Sequence, residues 1–474
     1  MDDKALFNLL LKIRTEDSKP FQINPNYYLH FGKPTSNILE RYKNQPIIFM
    51  TVAQIVINTL KNFAGFLFYS LESKKRKKLK KNYDYVFISH ITNRNFLEES
   101  DPYFDFLIKL IPNTKKILII YLNGSKYMNQ VACKKIANKF SDNVEIFVIP
   151  KYGSIAGFVG HIKKSFVAVY KLKNYKSIYK ESIEFNLRTN AITANFHRNT
   201  FSNLSILEVL NTCLKVQKHC RIFTTFEGNL FESFVIYNSR LKNDNIFFFY
   251  QHTPIVISQF GLQSHLADFN QNCILLTTGK LVSDYLTNFL PTGSEFPVVI
   301  GSKKVLKKSI APTHDGKTIL FAPEGTREAV EEMWIAASYI ARNNRELICT
   351  IRIHPSLFRS EFNKLNLKLD LNNLRISQTT LKEDFEANSY CVYRSSAVGI
   401  EASLAGLVPV YFSNSYSNLD ILEITHVGHF KASNVNELVS ILKRNAKLQD
   451  NYELANVCST YFEKLNSKNI QNLL

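Results

Sequence analysis

The feature that most constrains this chain is a series of short, apolar, β-rich runs separated by longer segments with helical spacing. The first series is Tyr85–Ser89, Lys116–Leu122, Val144–Ile149, Arg221–Thr225, Ile246–Tyr250 and Cys273–Leu276, with helical spacing over Asn203–Val216 and Asn229–Leu241. A second series opens at Thr318–Ala322 and continues through Leu347–Ile353, Leu374–Ser377, Tyr390–Tyr393 and Val408–Phe412. Its helices are expected over Thr326–Asn343, from Ala397, over Asn434–Asn445 and over Asn451–Leu465. Strands that are apolar on both faces and alternate with helices predict parallel sheets covered on both sides. Two such arrays in tandem predict an α/β protein with two Rossmann-like, doubly wound domains facing each other across a cleft. The basic, turn-rich stretch 301–317 marks the junction. The expected division is therefore an extension over 1–82, a first domain over 83–300 and a second over 301–474 with closing helices.

With 474 residues, 45% hydrophobic and 21% charged, the chain can bury sizeable cores, and wholesale disorder is excluded. Its seven cysteines are scattered without a CxxC pair, which argues against a disulfide framework and a cysteine zinc site. The start, MDDKALFNLLLKIRTED, is acidic where a secretory signal is basic, so a reduced, cytoplasmic setting is expected. Lys plus Arg exceed Asp plus Glu by 59 − 40 = +19, and residues 1–82, with 15 basic and 6 acidic side chains, hold +9 of it. That excess centres on Lys74-Lys75-Arg76-Lys77-Lys78-Leu79-Lys80-Lys81, directly after the apolar stretch 46–71. Gln54, Asn58, Lys61 and Asn62 puncture this stretch, so a basic helical extension lying on an anionic membrane surface fits it better than a span. The expected location is peripheral, on the inner face of the cytoplasmic membrane, through 46–81. Nucleic acid is not expected as a partner, because no RRM, zinc-finger or KH signature accompanies the charge.

The chemistry-bearing residues gather where strands hand over to helices. In Tyr393-Arg394-Ser395-Ser396, a strand delivers two hydroxyls to the first turn of a helix, with Glu401 one turn on. Unpaired N–H groups and the positive end of the helix dipole suit a phosphate there. Arg352-Ile353-His354-Pro355 sets a cation and an imidazole on one side of a strand end that Pro355 stops. Glu324, Gly325 and Thr326 form a tight turn at the same edge. In the first domain, Glu227 leaves a strand just before Gly228, Glu232 follows on the helix, and His252 closes the next strand. A carboxylate at such an edge can take a proton from an acceptor hydroxyl.

The order of these motifs, E-G first, then R-x-H-P, then S-S-x-x-x-x-E-A with a Gly-Pro turn, resembles glycosyltransferases of the GT-B architecture that build bacterial surface polysaccharides. In style it is similar to the capsule and lipopolysaccharide enzymes that use CMP-activated acidic sugars, the sialyl-, polysialyl- and Kdo-transferases. The resemblance spans roughly residues 83–465. It also extends, over Phe226–Pro254, to uncharacterised surface-carbohydrate biosynthesis proteins. It implies Glu227 as catalytic base, His354 on the nucleotide phosphate and Ser395 with Ser396 binding it. Placement at strand ends adds Glu232 and His252 as further catalytic or acceptor-site candidates, and Glu324, Gly325, Thr326, Arg352, Pro355 and Glu401 to the expected donor site. The implied reaction moves a sugar from a nucleotide-sugar, CMP-linked by preference, to a growing glycan or lipid-linked acceptor, with no metal or other cofactor. The paired acids of retaining enzymes are missing around the S-S helix, which favours inversion. A CDP-polyol phosphotransferase of the teichoic-acid type, a nucleotide-sugar 2-epimerase and a non-catalytic basic binding protein are the alternatives on the same fold.

Overall fold

A computed structural model describes residues 83–91, 101–123, 142–149, 159–160, 162–163, 198–241, 244–257, 259–304, 316–354, 371–413, 419–444 and 452–474. The proposed extension 1–82, with its apolar and basic segments, and Pro355 lie outside them. Among the described residues no helix is long and apolar enough to cross a membrane.

The expected pair of doubly wound sheets is present. The first sheet contains β1 (Tyr85–Ile91), β2 (Ile117–Asn123), β3 (Val144–Val148), β4 (Arg221–Thr225), β5 (Ile246–Gln251), β6 (Cys273–Thr277) and β7 (Val298–Val299). The helices between these strands include α1 (Asp105–Ile108), α2 (Arg198–Lys215), α3 (Leu230–Leu241), α4 (Phe260–Leu266) and α5 (Lys280–Thr287). The strand order is β3-β2-β1-β4-β5-β6-β7, and every pairing is parallel. The second sheet contains β8 (Thr318–Ala322), β9 (Ile348–Ile351), β10 (Leu374–Ile376), β11 (Tyr390–Tyr393), β12 (Val408–Phe412) and β13 (Phe430–Ala432). Its order is β10-β9-β8-β11-β12-β13, again all parallel. Here the helices are α6 (Arg327–Asn343), α7 (Leu381–Glu386), α8 (Val398–Ala405), α9 (Val435–Lys443), α10 (Tyr452–Ser459) and α11 (Ser467–Leu473).

Both orders reverse direction once, between β1 and β4 in the first sheet and between β8 and β11 in the second. At such a reversal the flanking crossovers run to opposite faces and leave a crevice beyond the strands' carboxyl ends, where ligands bind in open α/β sheets.

Alternation along the strands decides which core each side chain joins. Val86, Ile88, Ile222 and Phe249 enter one cluster, while Phe87, Phe223, Phe248 and Tyr250 enter another on the opposite face. In the second sheet Ile319, Phe321, Val392 and Val410 pack under α6 and α9. Its other face, with Leu320, Cys391 and Tyr393, joins the cluster that holds Phe226, Leu262 and Ile400. One apolar core thus backs the loops of both reversals.

The closing segment departs from expectation. The helix expected over Asn451–Leu465 stops at Ser459, and the chain then runs extended beside the first domain. Glu463 N–H donates to Thr278 O at 2.9 Å, Ser302 N–H to Glu463 O at 2.9 Å and Asn466 N–H to Ile300 O at 3.0 Å. These bonds satisfy the backbone in place of another helical turn, and Gly279 and Gly301 let the two chains come too close for a Cβ. The last helix, α11, then buries Ile470 and Leu473 with Tyr85, Phe87 and Ile117 of the first sheet. The last helix of the chain thus packs on the first sheet. The short strands β7 and β13 are not among the apolar runs read from the sequence.

Candidate active site

Four side chains meet at the reversal of the first sheet. Glu227 follows β4, His252 follows β5, His90 lies near the carboxyl end of β1, and Tyr103 lies between β1 and α1. The Glu227 Oε1 atom is 3.0 Å from His252 Nε2, and the two side chains are 31% and 13% exposed. The Tyr103 ring meets the His252 ring edge-on at 4.4 Å. His90 packs edge-on against Tyr103 at 6.3 Å and Phe231 at 5.5 Å. Buried Asp101 holds the Tyr103 turn by accepting from the N–H groups of Tyr103 at 2.9 Å and Phe104 at 2.6 Å.

Electrostatics separates these groups. Burial works to raise the Glu227 carboxyl, but the hydrogen bond and charge of His252, with help from His90 and Asn229, bring it down to about 2. Burial lowers His90, against the opposing pull of Glu227. Burial, then the charges of Glu227 and Asp101, push the Tyr103 phenol up to about 12. At neutral pH the cluster holds an ionised, partly exposed carboxylate backed by a histidine.

Glu232, read from the sequence as a further catalytic candidate, sits elsewhere. It is fully buried. Its carboxylate accepts from Glu227 N–H at 3.0 Å, Gly228 N–H at 2.8 Å, Asn229 N–H at 2.8 Å and Asn229 Nδ2 at 3.1 Å. A carboxylate this enclosed presents no exposed oxygen to a bound molecule, whereas Glu227 is partly exposed. Burial, then the Glu227 charge, push Glu232 up to about 8 against these donors.

The reversal of the second sheet gathers Glu324 after β8 and Arg394 to Ser396 after β11. The Arg394 guanidinium bridges Glu332 Oε2 at 2.8 Å and Glu324 Oε1 at 3.4 Å. Burial raises Glu324, opposed chiefly by Arg394. Ser395 and Ser396 are half-buried, and Ser396 Oγ accepts weakly from Val398 N–H at 3.4 Å at the start of α8. Gly399 lets this turn lie on the Tyr393 ring, because a Cβ there would stand 2.8 Å from the ring carbons. Gly325 lies in the turn before α6. Thr326 caps α6, its hydroxyl accepting from Ala329 N–H at 3.3 Å, so the ordinary helix-cap role accounts for it.

Two residues placed by sequence on a phosphate are engaged inside the fold. Arg352 Nη1 donates to Asp384 Oδ2 at 2.6 Å and Thr379 O at 2.8 Å. Because Asp384 is only 5% exposed, its charge needs that partner. Glu401 pairs instead with Lys304 from the crossover between the domains. His354 is half-buried just beyond β9, and burial lowers it. Among the described residues, Asp420, Glu423 and His429 form a trio of metal-ligand types. The Lys431 ammonium already contacts both carboxylates, and Tyr393 OH donates to Asp420 at 2.6 Å, so internal partners balance the cluster.

His90, Tyr103 and Arg394 were not assigned roles by sequence reasoning. His90 follows a β-rich run, but nothing local says that β1 lies beside β4.

No family model matches the chain, and no curated protein matches it. Solved structures do. An α,α-trehalose 6-phosphate synthase from Burkholderia multivorans is 10% identical over 80% of this chain and 95% of its own, with a TM-score of 0.43. A UDP-GlcNAc 2-epimerase from Neisseria meningitidis, bound to UDP-GlcNAc, is 9% identical over 80% of this chain and 94% of its own, with a TM-score of 0.40. S. aureus TarM, in complex with Fondaparinux, alpha-GlcNAc-glycerol and UDP, is 12% identical over 83% of this chain and 99% of its own, with a TM-score of 0.39. The description of this chain as two doubly wound domains stands on its own strand order and pairing.

Proposed function

We propose that this chain is a glycosyltransferase that moves a sugar from a nucleotide-sugar to a hydroxyl acceptor. The observation that carries this reading is the ionised, partly exposed Glu227 carboxylate held by His252 at the reversal of a doubly wound sheet. The acceptor hydroxyl would meet Glu227 from its exposed side, and Glu227 would take its proton as the new glycosidic bond forms. His252 holds the carboxylate in place. At the second reversal, Ser395, Ser396 and the first turn of α8 would hold the departing nucleotide phosphate, whose charge the helix end favours. Arg352 is left out of that role because Asp384 engages it. We favour a CMP-linked donor, inversion by single displacement without a metal, and a surface glycan or lipid-linked acceptor met at the membrane through residues 46–81. These finer points rest on the motif resemblance and the charge pattern.

The test is a thermal-shift series with CMP, UDP, GDP and CDP, since a nucleotide that binds only the folded chain raises its Tm by mass action. A shift with CMP supports the favoured donor, and a shift with UDP or GDP alone replaces it. A shift confined to CDP favours the polyol phosphotransferase. No shift with any of the four removes the donor site.

A further inference from the structure

We propose that Glu232 is a positioning residue whose carboxylate clamps the Glu227–Asn229 turn by its backbone and so fixes where the Glu227 side chain points. The inference rests on the reading of Glu227 as the base. Asn229 precedes the first residue of α3, which makes Glu232 the third residue of the helix, and a glutamate there ordinarily reaches back to one N–H. Here it collects three consecutive N–H groups, those of Glu227, Gly228 and Asn229, together with the Asn229 side-chain amide. Successive N–H groups converging on one point form an anion-binding concavity. In this chain the group that fills it is its own Glu232 carboxyl.

The turn is built to make that convergence. Gly228 takes φ +86°, and a Cβ there would stand 2.6 Å from Leu262 N, so the backbone presses directly on α4. From the other side Gln259 Nε2 donates to Glu227 O at 2.7 Å. The Glu227 main chain is thus gripped at its N–H by Glu232 and at its carbonyl by Gln259, while its carboxylate stays partly exposed. An error of about 1 Å in a reacting group can cost on the order of 10²-fold in rate, so a rigid backbone here bears directly on turnover. An ordinary helix cap would stabilise α3 without touching the reaction.

Glu232→Gln replaces one acceptor oxygen with an NH2 group that faces donors. Amide hydrogen exchange of the full chain should then show residues 227–229 exchanging about 10–100-fold faster, with the β4 and β5 strands unchanged. In hydrolysis of the nucleotide-sugar whose nucleotide shifts the Tm, kcat should fall about 10–100-fold at unchanged KM. The Glu227→Gln/Glu232→Gln double variant should be no slower than Glu227→Gln alone, because both losses act through one group. Unchanged exchange in Glu232→Gln, or losses that multiply in the double variant, would overturn the clamp. Faster exchange in a chain where Glu227→Gln leaves turnover intact would instead sink Glu227 as the base and leave the clamp standing. If Glu232→Gln fails to fold, Asn229→Ala removes only the side-chain amide, and exchange at 227–229 should rise about 3–10-fold. No rise there would count against the clamp.

Discussion

The two sheet reversals share a topology and differ in what they do with charge. At the first, Glu227, His252, His90 and Tyr103 are packed together, and Glu227 and Glu232 are driven in opposite directions although they lie five residues apart. At the second, Arg394 sits between Glu324 and Glu332, while the half-buried groups at the strand end are two hydroxyls and a helix start. Neutral hydroxyls and backbone N–H groups bind an anion without moving a proton. The difference teaches that one topology can present a carboxylate–histidine cluster at one reversal and hydroxyls beside a helix start at the other, the side chains deciding which.

The sharpest way to break the comparison is Glu227→Gln. The amide keeps the shape but takes no proton, so turnover should fall by about 10²–10⁴-fold while nucleotide affinity, measured by calorimetry, stays near that of the parent chain. Equal losses in both quantities would mean that the two reversals are one binding site. Next in size is Ser395→Ala with Ser396→Ala, where each lost hydrogen bond to a charged phosphate should cost about 1.5–3 kcal/mol of nucleotide binding. Arg352→Gln is its counterpart. It should leave nucleotide affinity unchanged and lower unfolding stability by about 1–3 kcal/mol, because nearly buried Asp384 loses a partner. Weaker nucleotide binding in Arg352→Gln would restore the guanidinium to the phosphate site.

The last expected effect is a pH slope. The folded chain holds Glu232 at about 8, above its unfolded value of 4.5, so the contribution is present below about pH 4.5 and is lost as pH rises toward 8. Glu227, held at about 2, acts in the opposite sense, and its contribution is lost only as pH falls from 4.5 toward 2. Denaturant unfolding between pH 5 and 8 should therefore show a decline that Glu232→Gln flattens and Glu227→Gln alters through the charge facing Glu232. His90 and His252 face the same carboxylate, so the comparison is made between variants at each pH. A decline that survives in Glu232→Gln would overturn Glu232 as its source, because His90, lowered by burial, adds stability as pH rises.

What the sequence determined by itself is local. Apolar runs longer than a few residues fixed the main strands, and helical spacing fixed α3, α6 and the start of α8, because each pattern is complete within one window. The S-S turn and the placement of Glu227 and His252 at strand ends were legible for the same reason. Tertiary structure decided everything that depends on which strand lies beside which. Only the β1–β4 neighbourhood brings His90 to Glu227, although 137 positions separate them in the chain. Only the folded second domain sets Asp384, 32 residues on, against Arg352 and so engages that cation inside the fold. Glu232 was visible as a helix-start acid, but whether it faced solvent or its own turn depended on Gly228 pressing against α4. The closing helix read as continuous because its own spacing allowed it, and the chain left helix where β6, β7 and the crossover offered hydrogen bonds that no local window contains.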